Sequence, residues 1–171
     1  SCTPGRAAMI TGRIPNRSGM TTVAFQGQGG GLPAAEGTTA SVLQKAGYNT
    51  YFTGKWHLGE SDYAMPTADG FDKMDNVILY HLNAFTYSMP SFHPKMTPDQ
   101  LDFFKKSTKG VLKGVEGKPV GEVTAVTEEN IGVLDVMMMA NVLPEMERLA
   151  SDKKNPFFMT INFAKNHQPN I

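Results

Sequence analysis

The sequence predicts an α/β domain in which a sheet is flanked by helices. Three observations carry that prediction. Between Thr38 and Gly54 a short helical stretch, a glycine and the β-rich run "YNTYFTG" follow one another, which is the return half of a βαβ unit. An apolar run from Phe157 to Phe163 is short enough to be a central strand and leads into a polar loop. The 171 residues are the size of one domain that can bury a core without disulfides or a structural metal.

The elements follow in order. Thr3 is placed to cap a helix whose first turn starts at Pro4, and Gly12 to end it, which puts Cys2 just before the helix N-terminus. From Arg13 to Gly37 the chain is rich in Gly, Pro, Asn and Ser, with "GQGGG" at its centre, and reads as a loop. Thr38 and Thr39 begin a short helix through Val42, Leu43 and Ala46 that stops at Gly47. The strand after it leaves the sheet in "GKWHLG", so Lys55 and His57 fall at a carboxyl edge, where open α/β sheets bind ligands.

The middle of the chain, Glu60 to Glu122, is less regular. "TPDQLDFFKK" reads as a helix capped by Thr97, and glycines at 110, 114, 117 and 121 predict a flexible or hairpin-like excursion. Thr127 is expected to cap a further helix, with Glu128 and Glu129 in its first turn and Ile131, Leu134, Met138 and Val142 on one face, broken or restarted at Pro144. Met137, Met138 and Met139 read as helix core with one exposed member. The exit loop of the last strand carries Lys165 and His167.

Composition excludes several function classes. Sixteen Lys and Arg balance sixteen Asp and Glu, so no global field draws the chain to nucleic acid or an anionic membrane, and any anion chemistry is local. A single cysteine excludes an internal disulfide framework and a self-contained cysteine zinc site. No run of about 18 apolar residues is present to span a bilayer. The chain lacks a starting Met and opens inside a motif, so any leader is expected to lie upstream.

Three polar clusters therefore stand at comparable points: Cys2 and Arg6 at a helix start, Lys55 and His57 after one strand, Lys165 and His167 after another. Parallel neighbouring strands would bring them to one edge. Helix N–H groups, the Arg6 fork and the Lys55 charge suit a tetrahedral oxyanion. His57 and His167 can exchange protons near neutral pH. Together with a nucleophile position at Cys2, the set suits displacement at tetrahedral sulfur or phosphorus.

"CTPGRAAMITGR" resembles the signature of the type I sulfatases, in which the cysteine of a Cys-x-Pro-x-Arg core becomes formylglycine. "GYNTYFTGKWHLG" is similar to the second family signature, and "PFFMTINFAKNHQP" to a looser third. "GFDKMDNVILYHLNAF" looks like a stretch of a bacterial arylsulfatase branch. The resemblance implies an alkaline-phosphatase-like fold and hydrolysis of a sulfate ester, small-molecule or glycan. A phosphonate or phosphate ester hydrolase of the same superfamily, and a non-catalytic anion-binding domain of sulfatase descent, are the alternatives.

By position, the resemblance implies formylglycine at Cys2, made by a formylglycine-generating enzyme. One hydroxyl of its hydrate attacks sulfur and the other later expels sulfate. Arg6 and Lys55 would hold the hydrate and neutralise charge. His57 would assist the proton transfer that releases sulfate, and His167 would contact the sulfate or help the leaving group. Lys165 matches no such position. The family also uses calcium, of which Cys2, once converted, would be one ligand. Calcium takes six to eight oxygen ligands, and the family's Asp pair and Asp-Asn pair do not occur in this stretch. Residues 1–171 are accordingly expected to be part of a catalytic domain, inactive alone, from a periplasmic or secreted protein.

The remaining features read as ordinary structure. Gly5, where the family more often has Ser or Ala, costs roughly 1 kcal/mol of helix propensity against Ala. His81 and His93 lack an Asp, Glu or Cys at metal-ligand spacing and read as loop histidines, with His81 a candidate for shaping the substrate pocket. The "GQGGG" loop lacks the Gly-Lys-Ser/Thr ending of a phosphate-binding loop.

Overall fold

A computed structural model describes residues 1–168. The chain runs α1 (Cys2–Thr11), α2 (Pro15–Ser18), α3 (Thr39–Lys45), β1 (Asn49–Lys55), β2 (Lys73–Ile78), α4 (Leu82–Thr86), α5 (Pro98–Ser107), β3 (Val111–Val115), β4 (Gly121–Thr124), α6 (Leu134–Ser151) and β5 (Phe157–Asn162). The strands form one sheet in the order β4-β3-β2-β1-β5. β1 pairs in parallel with β2 and β5, while β2, β3 and β4 are antiparallel neighbours. The α/β architecture expected from sequence is thus present. β5, expected to be central, lies at the sheet edge among the described residues.

Both faces of β1 are covered, and every residue from Thr50 to Lys55 is buried. Phe52 packs edge-on against Trp56 and Phe71 at centroid separations of 5.0 and 5.2 Å. Tyr51 belongs to a second cluster with Met138, Val142 and Leu149 of α6. Met138 is buried, and Met137 and Met139 are partly buried, so none of the three methionines is fully exposed.

Capping explains several boundaries. Thr38 closes a reciprocal box with Ser41 at the start of α3, and Thr97 does the same with Gln100 at α5. Gly12, in the left-handed region at φ 67°, ends α1 as its sequence suggests.

Three boundaries depart from expectation. α1 starts at Cys2 with Ser1 as its N-cap, so Thr3 lies inside the helix and Cys2 in its first turn. Thr127 opens a turn in which its N–H donates to Asn130 Oδ1 at 2.8 Å, and α6 begins only at Leu134. α6 then runs through Pro144 without a break. The carbonyl that this proline leaves unpaired belongs to Ala140, which is exposed, so water can take the place of the missing N–H.

β2 is an addition to the sequence reading. It is interrupted by Asn76, which adopts φ 47°, and its register with β1 slips between Thr53 and Gly54. The bulge bends β2, while β1 stays paired with it through Lys55 and Ile78. β3 and β4 form the hairpin that the glycines of that region predicted.

Candidate active site

The carboxyl end of β1 and the first turns of α1 meet at Lys55. Its ammonium donates to Cys2 Sγ at 3.4 Å, and its main-chain carbonyl accepts from Arg6 Nη1 at 2.7 Å and from Asn162 Nδ2 at 3.0 Å. α1, β1 and β5 are therefore tied together at one residue. Gly54 makes this possible. Its φ is +86°, and a Cβ placed there would lie 2.0 Å from the Asn162 carbonyl oxygen, so only glycine lets β5 approach.

His57 follows two residues later with a fully buried side chain and φ 60°, a left-handed conformation that costs a non-glycine residue on the order of 1 kcal/mol or more. Two bonds hold it. Thr3 Oγ1 donates to the His57 carbonyl at 2.9 Å, and His57 Nε2 donates to the Ala24 carbonyl at 2.9 Å. Thr3 Oγ1 also accepts from Ala24 N at 3.1 Å, so one hydroxyl joins α1, the long loop and the turn after β1. With Nε2 carrying the proton, His57 Nδ1 is a bare acceptor, buried and without a partner among the described residues.

The charges around this point are unbalanced. Burial lowers the Lys55 pKa, and the neighbouring Arg6 lowers it further against the pull of Cys2. Burial likewise holds Arg6 below its usual value. Neither cation is paired with a carboxylate among the described residues. Burial, then Lys55, pushes the His57 pKa down to about 3, so the ring is neutral at physiological pH.

These groups open on a hollow of about 400 Å³ lined by Cys2, Gly5, Arg6, Met9, Lys55, Asn162, Asn166 and His167. Cys2, Arg6, Lys55 and His167 thus converge, with His57 buried beneath the Lys55 turn. The exit loop of β5 is held by Asp135, whose carboxylate accepts from Ala164 N at 2.8 Å and Lys165 N at 2.9 Å. Lys165 itself is exposed and does not line the hollow.

Sequence reading missed Asn162, Asn166 and Asp135. A polar residue closing the apolar run of β5 was the available signal for Asn162. His93 is elsewhere, bonded to Thr86 Oγ1 at 2.9 Å and stacked on Tyr87. The "GQGGG" loop is no phosphate cradle: Gly29 N donates to Glu60 Oε1 at 2.7 Å and Gly30 N to Ser61 Oγ at 2.8 Å.

Among the described residues no group of three or more His, Cys, Asp or Glu side chains could hold a metal ion. Among the described residues no helix is long and apolar enough to cross a membrane.

Fold and site together define an α/β protein with one buried cation, Lys55, one half-buried cation, Arg6, and a helix N-terminus gathered at the carboxyl edge of its sheet. A family model described as Sulfatase matches residues 1–170, and the chain belongs to the sulfatase family. It is 30% identical to arylsulfatase G of Homo sapiens over 171 residues, covering 99% of this chain and 33% of that protein. It is 45% identical to steryl-sulfatase of Rattus norvegicus over 84 residues, covering 42% of this chain and 15% of that protein. The crystal structure of PsFucS1 sulfatase from Pseudoalteromonas sp. superposes with a TM-score of 0.85 at 27% identity, covering 99% of this chain and 35% of that one. The alkaline-phosphatase-like fold of the sulfatases is therefore this chain's fold. The chain spans about a third of the length of these full-span matches.

Proposed function

We propose that the protein carrying this chain hydrolyses a sulfate ester, small-molecule or glycan, through Cys2 converted to formylglycine. One observation carries the reading: Lys55 is buried and Arg6 half-buried, both stand beside Cys2, and neither has a carboxylate partner among the described residues. Leaving two like charges side by side, unpaired and partly shut off from water, is costly, and a bound divalent oxyanion offsets that cost.

In this reading the converted residue 2, made by a formylglycine-generating enzyme, supplies the hydroxyl that attacks sulfur. Lys55 takes the place beside that hydroxyl which it now holds beside Sγ. Arg6 draws the sulfate oxygens toward the first turn of α1, where free N–H groups and the helix dipole favour negative charge. The unprotonated His57 Nδ1 suits a hydroxyl as donor, and taking its proton would assist sulfate release. His167, which lines the same hollow, would contact the sulfate or help the leaving group.

The family's divalent metal, proposed here as calcium, needs more oxygen ligands than this stretch supplies, since residue 2 would give only one. No step is assigned to it.

The reading is tested on full-length protein made in a host that generates formylglycine. Peptide mass spectrometry is expected to find the aldehyde or its hydrate at residue 2, and an aryl sulfate to be cleaved faster than the matched aryl phosphate. Faster phosphate cleavage would assign the protein to phosphoryl or phosphonyl transfer. An intact thiol with no turnover would leave an anion-binding domain.

A further inference from the structure

We propose that His81 is a positioning residue for His167, fixing where that imidazole stands over the Cys2 hollow. The inference rests on the sulfatase reading above.

The two rings lie parallel, 4.6 Å apart with 5° between their planes. His81 is only 8% exposed, and its ring is anchored: it is the N-cap of α4, with Nδ1 accepting from Ala84 N at 3.1 Å. That bond places its proton on Nε2 and prevents rotation about the ring axis. On its other sides His81 meets His57 edge-on at 5.3 Å and Phe25 at 6.2 Å. The platform is therefore built from three separate segments.

Among the described residues His167 has no comparable anchor of its own. Its Nδ1 bonds the carbonyl of Gln168 at 3.0 Å, a partner that moves with the same loop and cannot fix the ring relative to the sheet. The stack on His81 ties it to α4 and, through His57, to the turn that carries Lys55. Burial together with His167 and Lys55 lowers the His81 pKa to about 4, so the platform stays neutral. A displacement on the order of 1 Å of a reacting group can cost 100-fold in rate, so this alignment has kinetic weight.

The test uses full-length protein with residue 2 converted, 4-nitrophenyl sulfate as probe, and thermal unfolding measured alongside. His81→Asn keeps an acceptor for the α4 cap and loses the ring, whereas His81→Phe keeps a ring and loses the acceptor. Stability is expected to follow the cap, with His81→Phe melting lower. Activity is expected to follow the ring: kcat falls at least about tenfold in His81→Asn and by less in His81→Phe. In the double variant, His81→Asn should add no further loss to His167→Ala.

An activity order that follows stability, or a His81→Asn loss that persists in full on the His167→Ala background, would overturn the inference and leave the role of His167 standing. A His167→Ala enzyme as fast as wild type would remove that role and the inference with it. Wild-type protein that cleaves no sulfate ester would overturn the functional reading and this inference together.

Discussion

Thr3 and His57 are 54 positions apart, yet the Thr3 hydroxyl donates to the His57 carbonyl at 2.9 Å from a fully buried position. The same oxygen accepts from Ala24 N. Thr3→Val keeps the shape and removes the hydroxyl, stranding a buried carbonyl and a part-buried N–H. Each such group costs roughly 1–3 kcal/mol. Denaturant unfolding should show a loss of a few kcal/mol that Thr3→Ser largely avoids. Equal stability of the Val and wild-type proteins would mean that the left-handed turn at His57 holds itself.

Gly54 is where β1 and β5 press together beside Lys55. Gly54→Ala meets both a positive φ and the Asn162 carbonyl. Backbone cannot retreat as a side-chain tip can, so the strand pair must open. The expected result is a loss of more than about 3 kcal/mol, of the size seen for large core defects, or failure to accumulate folded protein. Amide exchange of β5 should be faster than that of β3 in any folded remnant. Uniform protection across the sheet would count against the argument.

The candidate site was more legible than the strands around it, for a physical reason. Cys2, Arg6, Lys55, His57 and His167 carry chemistry in their residue type and spacing, so single-chain pattern was enough to single them out. Asn162 and Asp135 act through bonds across the fold to Lys55 and to the exit loop, and nothing local distinguishes them from other polar residues. The same division separates the threonines. Thr38 and Thr97 cap the helices that follow them because their partners are three residues away. Thr3 looks identical in sequence, but its hydroxyl is taken by His57 and Ala24, and the N-cap position of α1 falls to Ser1, whose side chain makes no cap bond. β2 was missed because the polar pair Asp75 and Asn76 and the bulge at Asn76 interrupt its alternation.

Asp69 is buried, its Oδ2 has no hydrogen-bond partner among the described residues, and burial raises its pKa to about 7. The folded state therefore holds a proton that the unfolded chain releases near the usual carboxyl value of about 4. Its contribution is full below that value and is lost as pH rises toward 7. His57 acts oppositely, its contribution present above about 6.5 and lost as pH falls toward 3. Asp69→Asn should therefore gain stability over wild type between pH 4 and 8 and leave the acid limb unchanged. A difference between the two proteins that does not vary with pH would show that Asp69 ionises normally.

Arg6 and Lys55 place function and stability in opposition. Burial and Arg6 lower the Lys55 pKa, so a charged Lys55 costs stability throughout the neutral range, a cost relieved only as pH rises through its folded pKa. Lys55→Met fills similar space without the charge. The variant is expected to unfold at higher temperature, while sulfate ester hydrolysis falls on the order of 100-fold or more, as when a group stabilising transition-state charge is removed. Inorganic sulfate separates the two effects. A ligand that binds only the folded state raises its stability by mass action, so sulfate should raise the melting temperature of wild type and have little effect on Lys55→Met. Equal stabilisation of both proteins by sulfate would place the anion site away from Lys55, and a Lys55→Met variant less stable than wild type would show that its bond to Cys2 outweighs the cost of its burial.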